Sequence, residues 1–332
     1  MSDATVRPAG ASAASRPGRL GVGIISAGRV GAVLGSALRA VDHQVVGVHA
    51  VSADSRERAE MLLPGVPVLE VEQIIERAEL VLLSVPDDSL GPLVQGLAEL
   101  GRWQPGQLVV HTSGLHGLAA LEPARRGGAI PLALHPAMTF AGLSTDLARL
   151  VGCPMAVTAP AAVLPIAQAL AVELGGEPFI LEDAARPAYH AALAHGANHL
   201  VTLVGQAVRV LEAAGIQDGP ATLRPLLGAA LDRALSEGGA ALTGPVSRAD
   251  VGTVRGHVAA MEALSRDRGG GLDDVVATYR QLASATAQRC EAEGRITADQ
   301  ARRLREALGP GRGDGTGSSA DGSGEPAPSS PG

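Results

Sequence analysis

His135, His190, Ser113 and Asn198 have the residue types and placement for proton transfer and substrate orientation. His135 stands in Leu134-His135-Pro136-Ala137, where proline ends an apolar run. Ser113 stands in His111-Thr112-Ser113-Gly114, where glycine ends another. Histidine changes charge near neutral pH and suits general acid–base work. Each position also has a plain structural reading, because Pro and Gly break strands, Ser caps helices and His bonds within turns. His190 and Asn198 lie eight apart in YHAALAHGANHL, a little over two helical turns, so one helix face carries both. A polar stripe on an apolar helix is costly to bury without a ligand or a bonded partner. We read the stripe as substrate-facing, the alternative being an interhelical hydrogen-bond pair. Thr243, Gly244 and Arg248 in ALTGPVSRAD complete the substrate set, with Arg248 suited to a carboxylate or a cofactor phosphate. The plain alternative there is a Thr-Gly-Pro turn with Asp250 capping the next helix. His195 and His199, four apart, would share a helix face, but H-x-x-x-H without a third ligand is a weak zinc signal, and no metal is assigned.

These residues need a frame, and the stretch Leu20–Ala50 supplies one. It reads apolar strand, glycine-bearing turn, helix, second apolar strand, the opening βαβ unit of a dinucleotide-binding fold. The fingerprint G-x-G-x-x-G stands here as Ser26-Ala27-Gly28-Arg29-Val30-Gly31, with serine in the first glycine slot. Gly28 lets the backbone approach a pyrophosphate, Gly31 lets the helix pack on the sheet, and the helix-start N–H groups form an anion site. Serine fits that slot if its φ stays negative. The second strand ends Val48-His49-Ala50-Val51-Ser52 with no acid for a ribose 2′-hydroxyl. Ser52, Ser55 and Arg56 offer two hydroxyls and a planar cation for a 2′-phosphate, which favours NADP over NAD. Asp54 is the residue that argues for NAD, and the structural alternative is a helix cap with solvated arginines. Val85 and Pro86, at the end of the run Leu80–Val85, face the same crevice and join the cofactor set.

Short apolar runs alternate with helical segments up to about residue 182: Gln44–Ala50, Leu80–Val85, Gln107–His111, Ile130–Leu134, Met155–Thr158 and Pro178–Leu181. That alternation predicts a doubly wound α/β domain with a mostly parallel sheet over 19–182. Residues 183–308 read as all-helical, opening with one long helix over Ala184–Ala214. Helices near Ala221–Leu235, Ala249–Ser265, Leu272–Glu291 and Thr297–Leu308 follow it. An apolar helix of that length needs wrapping by others or by a partner chain. Residues 1–18 and 309–332 have the Ala/Gly/Ser/Pro composition of disordered tails.

Composition bounds the partners. A net charge of −7, scattered basic residues and 2% aromatics argue against nucleic acid. No apolar stretch has membrane-spanning length, and the N-terminus lacks a signal-peptide layout. Two cysteines make no disulfide framework, so a reducing cytoplasm is expected. All 27 basic residues are arginine. Schiff-base, phosphate-loop and general-acid roles for lysine are therefore closed.

In order, II-SAGRVG, LVLLSVPDD, LVVHTSG, LALHPAMTF, YHAALAHGAN-HL and ALTGPVSRAD resemble the Rossmann-like oxidoreductases that end in domain of unknown function 2520. These are similar to the wider 6-phosphogluconate dehydrogenase-like superfamily. The resemblance covers the whole ordered chain and implies NADP binding and a helical, homodimer-forming second domain. It names no substrate. Several enzymes of that superfamily use a lysine from the second domain for proton transfer, which this chain cannot supply. His135-Pro136 instead resembles the His-Pro of prephenate dehydrogenases. The expected function is hydride transfer between NADP and a small polar C–O or C–N centre, with His135 or His190 as proton shuttle. Ser113 and Asn198 would orient the substrate. A protein that binds the nucleotide without turnover, as sensor or scaffold, is the alternative; a metal enzyme using His195 and His199 is the third reading.

Overall fold

The computed structural model describes residues 19–309; the expected tails, apart from Gly309, lie outside the described residues. Contacts divide the chain into two compact units, one ending at Ala197 and one beginning at Asn198. The division at 182/183 expected from the end of the strand–helix alternation falls earlier, because the helix Arg186–Leu193 lies within the first unit.

The first unit is built on seven strands: β1 Gly21–Ile25, β2 Gln44–His49, β3 Leu80–Leu83, β4 Leu108–His111, β5 Ile130–Pro136, β6 Pro154–Thr158 and β7 Glu177–Ile180. They lie in the order β2-β1-β3-β4-β5-β6-β7. All neighbours are parallel except β5 and β6, which pair antiparallel. The strands are nearly continuous apolar runs because helices cover both faces. Val22, Ile24, Leu82, Val110 and Leu132 fill one core layer, and Ile25, Val81, Leu83 and Val109 fill the other. The helix Arg29–Ala40 buries Ala32, Val33, Leu34, Ala37 and Leu38 in the first layer.

Register sets the functional edge. Ile25 pairs with Leu83, Leu83 with His111, and His111 with Ala133. The chain therefore leaves β1, β3 and β4 in one row, while β5 runs on to His135. Alternation along β5 turns Ala133 and His135 to the face of the second core layer. The order reverses direction between β1 and β3, the point where doubly wound sheets open a crevice for ligands.

The second unit is helical. Helices Val251–Asp267, Asp273–Ala292 and Ala298–Leu308 share a core of Val254, Val258, Ala283, Ala287, Cys290, Leu304 and Leu308. Asp250 caps the first of them, accepting from the Thr253 N–H at 3.2 Å. Helices His199–Ala213 and Gly219–Glu237 bury little of themselves; Val201, Leu226, Leu231 and Leu235 are exposed. The expected single helix over Ala184–Ala214 is not continuous α-helix. It runs as a 3₁₀ turn at Asp183–Ala185, α-helix Arg186–Leu193, a π segment Ala194–Asn198 and then His199–Ala213. Cys153 and Cys290 are buried free thiols, and no described helix is long and apolar enough to cross a membrane.

Candidate active site

The turn after β1 is tighter than the sequence suggests. Ser26 has φ +77°, so the condition of a negative φ is not met: serine takes the left-handed conformation that glycine adopts freely. That conformation costs about 1–2 kcal/mol for a residue with a Cβ. It folds the Ser26 carbonyl back over the helix start, where a Cβ on Gly31 would lie 2.2 Å from that oxygen. Gly31 is thus fixed by backbone packing. Gly28 is different. Its φ of −67° suits any residue, and a Cβ there would meet only Ser26 Oγ at 3.5 Å and Ser84 O at 4.0 Å. The fold does not demand glycine at 28, but a pyrophosphate lying against the backbone would. Ala27 is buried and donates its N–H to His49 O at 2.9 Å, Val30 packs against the core, and Arg29 is exposed. These features fit a dinucleotide.

Beyond β2, Ser52 caps the helix Ala53–Leu62: its Oγ accepts from Ser55 N–H at 3.1 Å, and Ser55 Oγ donates to Ser52 O at 2.8 Å. Arg56 reaches back to Ala50 O at 3.4 Å. Arg58, which sequence reasoning left out of the cofactor set, reaches the turn itself, donating to Ala27 O at 3.2 Å. The loop after β5 closes over it, since a Cβ on Gly142 would lie 2.7 Å from Arg58 Nε and 3.1 Å from Arg29 Cγ. Buried Asp146 holds this loop by accepting from the Ala141 and Gly142 N–H groups at 2.8 and 2.7 Å. Val85 and Pro86 lie between β3 and the helix Asp87–Glu99, with Pro86 at its N-cap.

Farther along the edge, His135 and Tyr189 meet, with Nδ1 2.9 Å from the phenol oxygen and the rings nearly perpendicular at 88°. His190 packs edge-on against His135, with ring centres 6.3 Å apart. A Cβ on Gly114 would lie 2.9 Å from His135 Nε2 and 2.8 Å from His190 Cδ2, so glycine lets both rings crowd the β4 loop. Beneath them lies Arg186, fully buried. Its guanidinium donates to Ser113 O at 2.8 Å, Ala133 O at 3.1 Å and Thr158 Oγ1 at 2.9 Å. It ties the chain at β4, β5 and β6 to the helix that carries Tyr189 and His190. Burial, then the nearby guanidinium, push His135 down to about 4, so its ring is neutral near pH 7. Burial raises the Tyr189 phenol, opposed by the same guanidinium.

The other predicted residues have more local tasks. Ser113 Oγ accepts the Leu115 and His116 N–H groups at 3.1 and 2.9 Å, shaping the turn. His111 is a structural ring: its Nδ1 accepts from Ser113 N–H at 3.2 Å and its Nε2 donates to Gly117 O at 3.2 Å. Burial, with Arg186 adding to it, pushes His111 down to about 3. Asn198 opens the second unit and is not among the residues the first unit assembles. The π segment also removes the simple α-helical stacking of His190 on Asn198 and of His195 on His199. Among the described residues, no group of three or more His, Cys, Asp or Glu is placed to hold a metal. In the second unit, Gly244 has φ +104° and its carbonyl accepts from Ser247 Oγ at 3.0 Å and from Arg248 N–H at 3.3 Å. Thr243 lines a mostly apolar cavity of about 520 Å³ with Leu203, Met261 and Tyr279, while Arg248 is exposed.

Comparison with known proteins gives the context. A Rossmann-like domain model matches residues 6–136, and the model of domain of unknown function DUF2520 matches residues 153–286. No curated protein matches the sequence. Among solved structures, protein BF3122 of Bacteroides fragilis is similar over 81% of this chain and 98% of its own, at 20% identity and a TM-score of 0.66. Protein TM1727 of Thermotoga maritima is similar over 82% and 99%, at 20% identity and 0.57. An imine reductase of Myxococcus stipitatus in complex with NADP+ is similar over 86% and 99%, at 17% identity and 0.57. At these identities the likeness is one of fold. With its seven-stranded sheet and helical second half, the chain carries a Rossmann-like domain followed by a DUF2520 domain.

Proposed function

We propose that this chain is an NADP-dependent oxidoreductase that moves a hydride between the nicotinamide and a small polar C–O or C–N centre. Histidine rather than lysine handles the proton. One observation carries the reading: the sheet edge that presents the Ser26–Gly31 turn also presents His135, against which Tyr189 and His190 pack, with Gly28 leaving space that the protein itself does not use. The reduced cofactor supplies the hydride. The chain's own residues do the rest. Ser26, Ala27, Gly28 and the N–H groups of the following helix would receive the pyrophosphate. Ser52, Ser55 and Arg56, with Arg58 added, would face the adenosine ribose and its 2′-phosphate. His135 and His190 would meet the reacting heteroatom. The imine reductase of similar fold was solved with NADP+, which supports the cofactor choice without naming a substrate. A reducing cytoplasm suits the two free thiols. A second copy of the chain would cover the exposed Val201, Leu226, Leu231 and Leu235, the expected homodimer contact.

Titration calorimetry with NADPH and with NADH, on wild type and Arg56→Ala, tests the cofactor site. NADPH should bind more tightly, and the variant should lose that preference while NADH binding holds. NADPH oxidation at 340 nm against a panel of cyclic imines and α-keto acids tests the reaction. Tight NADPH binding with no oxidation by any panel member would favour the sensor reading.

A further inference from the structure

We propose that Tyr189 and His135 form a two-member proton relay, the phenol O–H donating to Nδ1 while Nε2–H is the proton delivered to substrate. This rests on the oxidoreductase reading above and adds to it a second member and a defined tautomer. The contact is direct, 2.9 Å between Tyr189 Oη and His135 Nδ1. Arg186, three residues before Tyr189, bonds main-chain oxygens of Ser113 and Ala133 and so fixes the helix against the strand that bears His135. A phenol held in its protonated form donates to an unprotonated imidazole nitrogen, which leaves the ring's own proton on Nε2.

The chemistry requires the partner. The ring is neutral, so giving up Nε2–H alone would leave an imidazolate, far too basic to form near pH 7. A proton arriving at Nδ1 in the same step removes that obstacle. In the reductive direction a bound reduced nicotinamide would supply the hydride for the new C–H bond, and the C=X π pair would move to X. X then takes the Nε2 proton, and the electron pair of that N–H bond stays on the ring. Nδ1 takes the Tyr189 proton, and the O–H pair stays on the phenolate oxygen, within the field of the Arg186 charge. The cycle closes when Nδ1 returns its proton to the phenolate and solvent supplies one to Nε2. The charged and titratable groups around the pair are Arg186 and His190 from the same helix, Asp87 from the helix after β3, His111 from β4, and Cys153 ahead of β6. Arg186 opposes an imidazolium, and at Tyr189 it offsets part of the burial that raises the phenol.

Nitrogen-15 NMR of the full chain labelled at histidine tests the arrangement without any substrate. At pH 7 His135 should carry its proton on Nε2 with Nδ1 as acceptor, and Tyr189→Phe should move the Nδ1 resonance. A ring protonated at Nδ1, or doubly protonated at pH 7, overturns the relay. With NADPH and whichever panel compound turns over, Tyr189→Phe should lower kcat about 100-fold with KM nearly unchanged, and should alter the alkaline limb of the pH profile. His135→Asn should lose a similar amount, and the double variant no more than either single one, because the two act as a unit. Additive losses, or a Tyr189→Phe enzyme with full kcat, overturn it equally. If no compound oxidises NADPH, the oxidoreductase reading falls by that result, while the NMR measurement still judges the pair.

Discussion

The chain's two tyrosines each meet a histidine in nearly the same way, one pair in each unit. Tyr189 and His135 lie 2.9 Å apart with rings at 88°; Tyr279 and His257 also lie 2.9 Å apart, with rings at 79°. Burial raises both phenols. The surroundings differ. His135 stands over a buried guanidinium and against a second histidine, at the carboxyl edge of a mostly parallel sheet. His257 is exposed on a helix surface, and Tyr279 shares an apolar cavity with Met261 and Leu282. The same contact therefore has two readings: a site where charge and sheet edge converge, and a polar clasp on the wall of a cavity. What separates them is Arg186.

Replacing Arg186 with Met should break the difference most. The acceptors at Ser113, Ala133 and Thr158 lose a charged donor, so unfolding free energy in urea should fall by about 3 kcal/mol. His135 should also titrate nearer the ordinary 6.5. A His135 titration that does not move would mean the guanidinium is not what distinguishes the pairs.

Acid comes next in size. His111 and His135 fold as neutral rings, pushed to about 3 and about 4 from an ordinary 6.5. Their contribution is complete above pH 6.5 and is lost as pH falls through the folded values, because the unfolded chain takes up protons that the folded chain refuses. Unfolding free energy should fall by at most about 1.4 kcal/mol per pH unit for each ring over that window. His135→Gln should flatten the slope. A slope that stays as steep would remove His135 from this account.

The smallest effect is at the turn. Ser26→Gly relieves the left-handed backbone and should raise stability by about 1 kcal/mol, with the imidazole resonances of both pairs unmoved. A shifted His135 signal would show the turn and the first pair to be coupled.

Local patterns were legible in the sequence, and long-range ones were not. The strand-turn-helix of Leu20–Ala50 reads from periodicity and glycine spacing, and so do the strand ends carrying His111 and His135. Ser26's backbone was not legible because a serine ordinarily avoids positive φ, and only the folded turn imposes it. Arg186 was one arginine among 27. Its meaning comes from oxygens 28, 53 and 73 residues away, a convergence no local pattern records. Tyr189 stood in a quoted motif, but its partner lies 54 residues earlier. The π segment and the antiparallel β5–β6 pair were hidden for a related reason: hydrophobic alternation reports which element forms, not its internal hydrogen-bond step or its direction in the sheet.

The two cysteines offer an experimental handle. Cys153 lies in the first unit and Cys290 in the second, both sheltered from solvent. A thiol reagent reaches either sulfur only when the surrounding structure opens. Timed alkylation followed by peptide mass spectrometry would thus clock the opening of each half separately, in a single sample and with no introduced label.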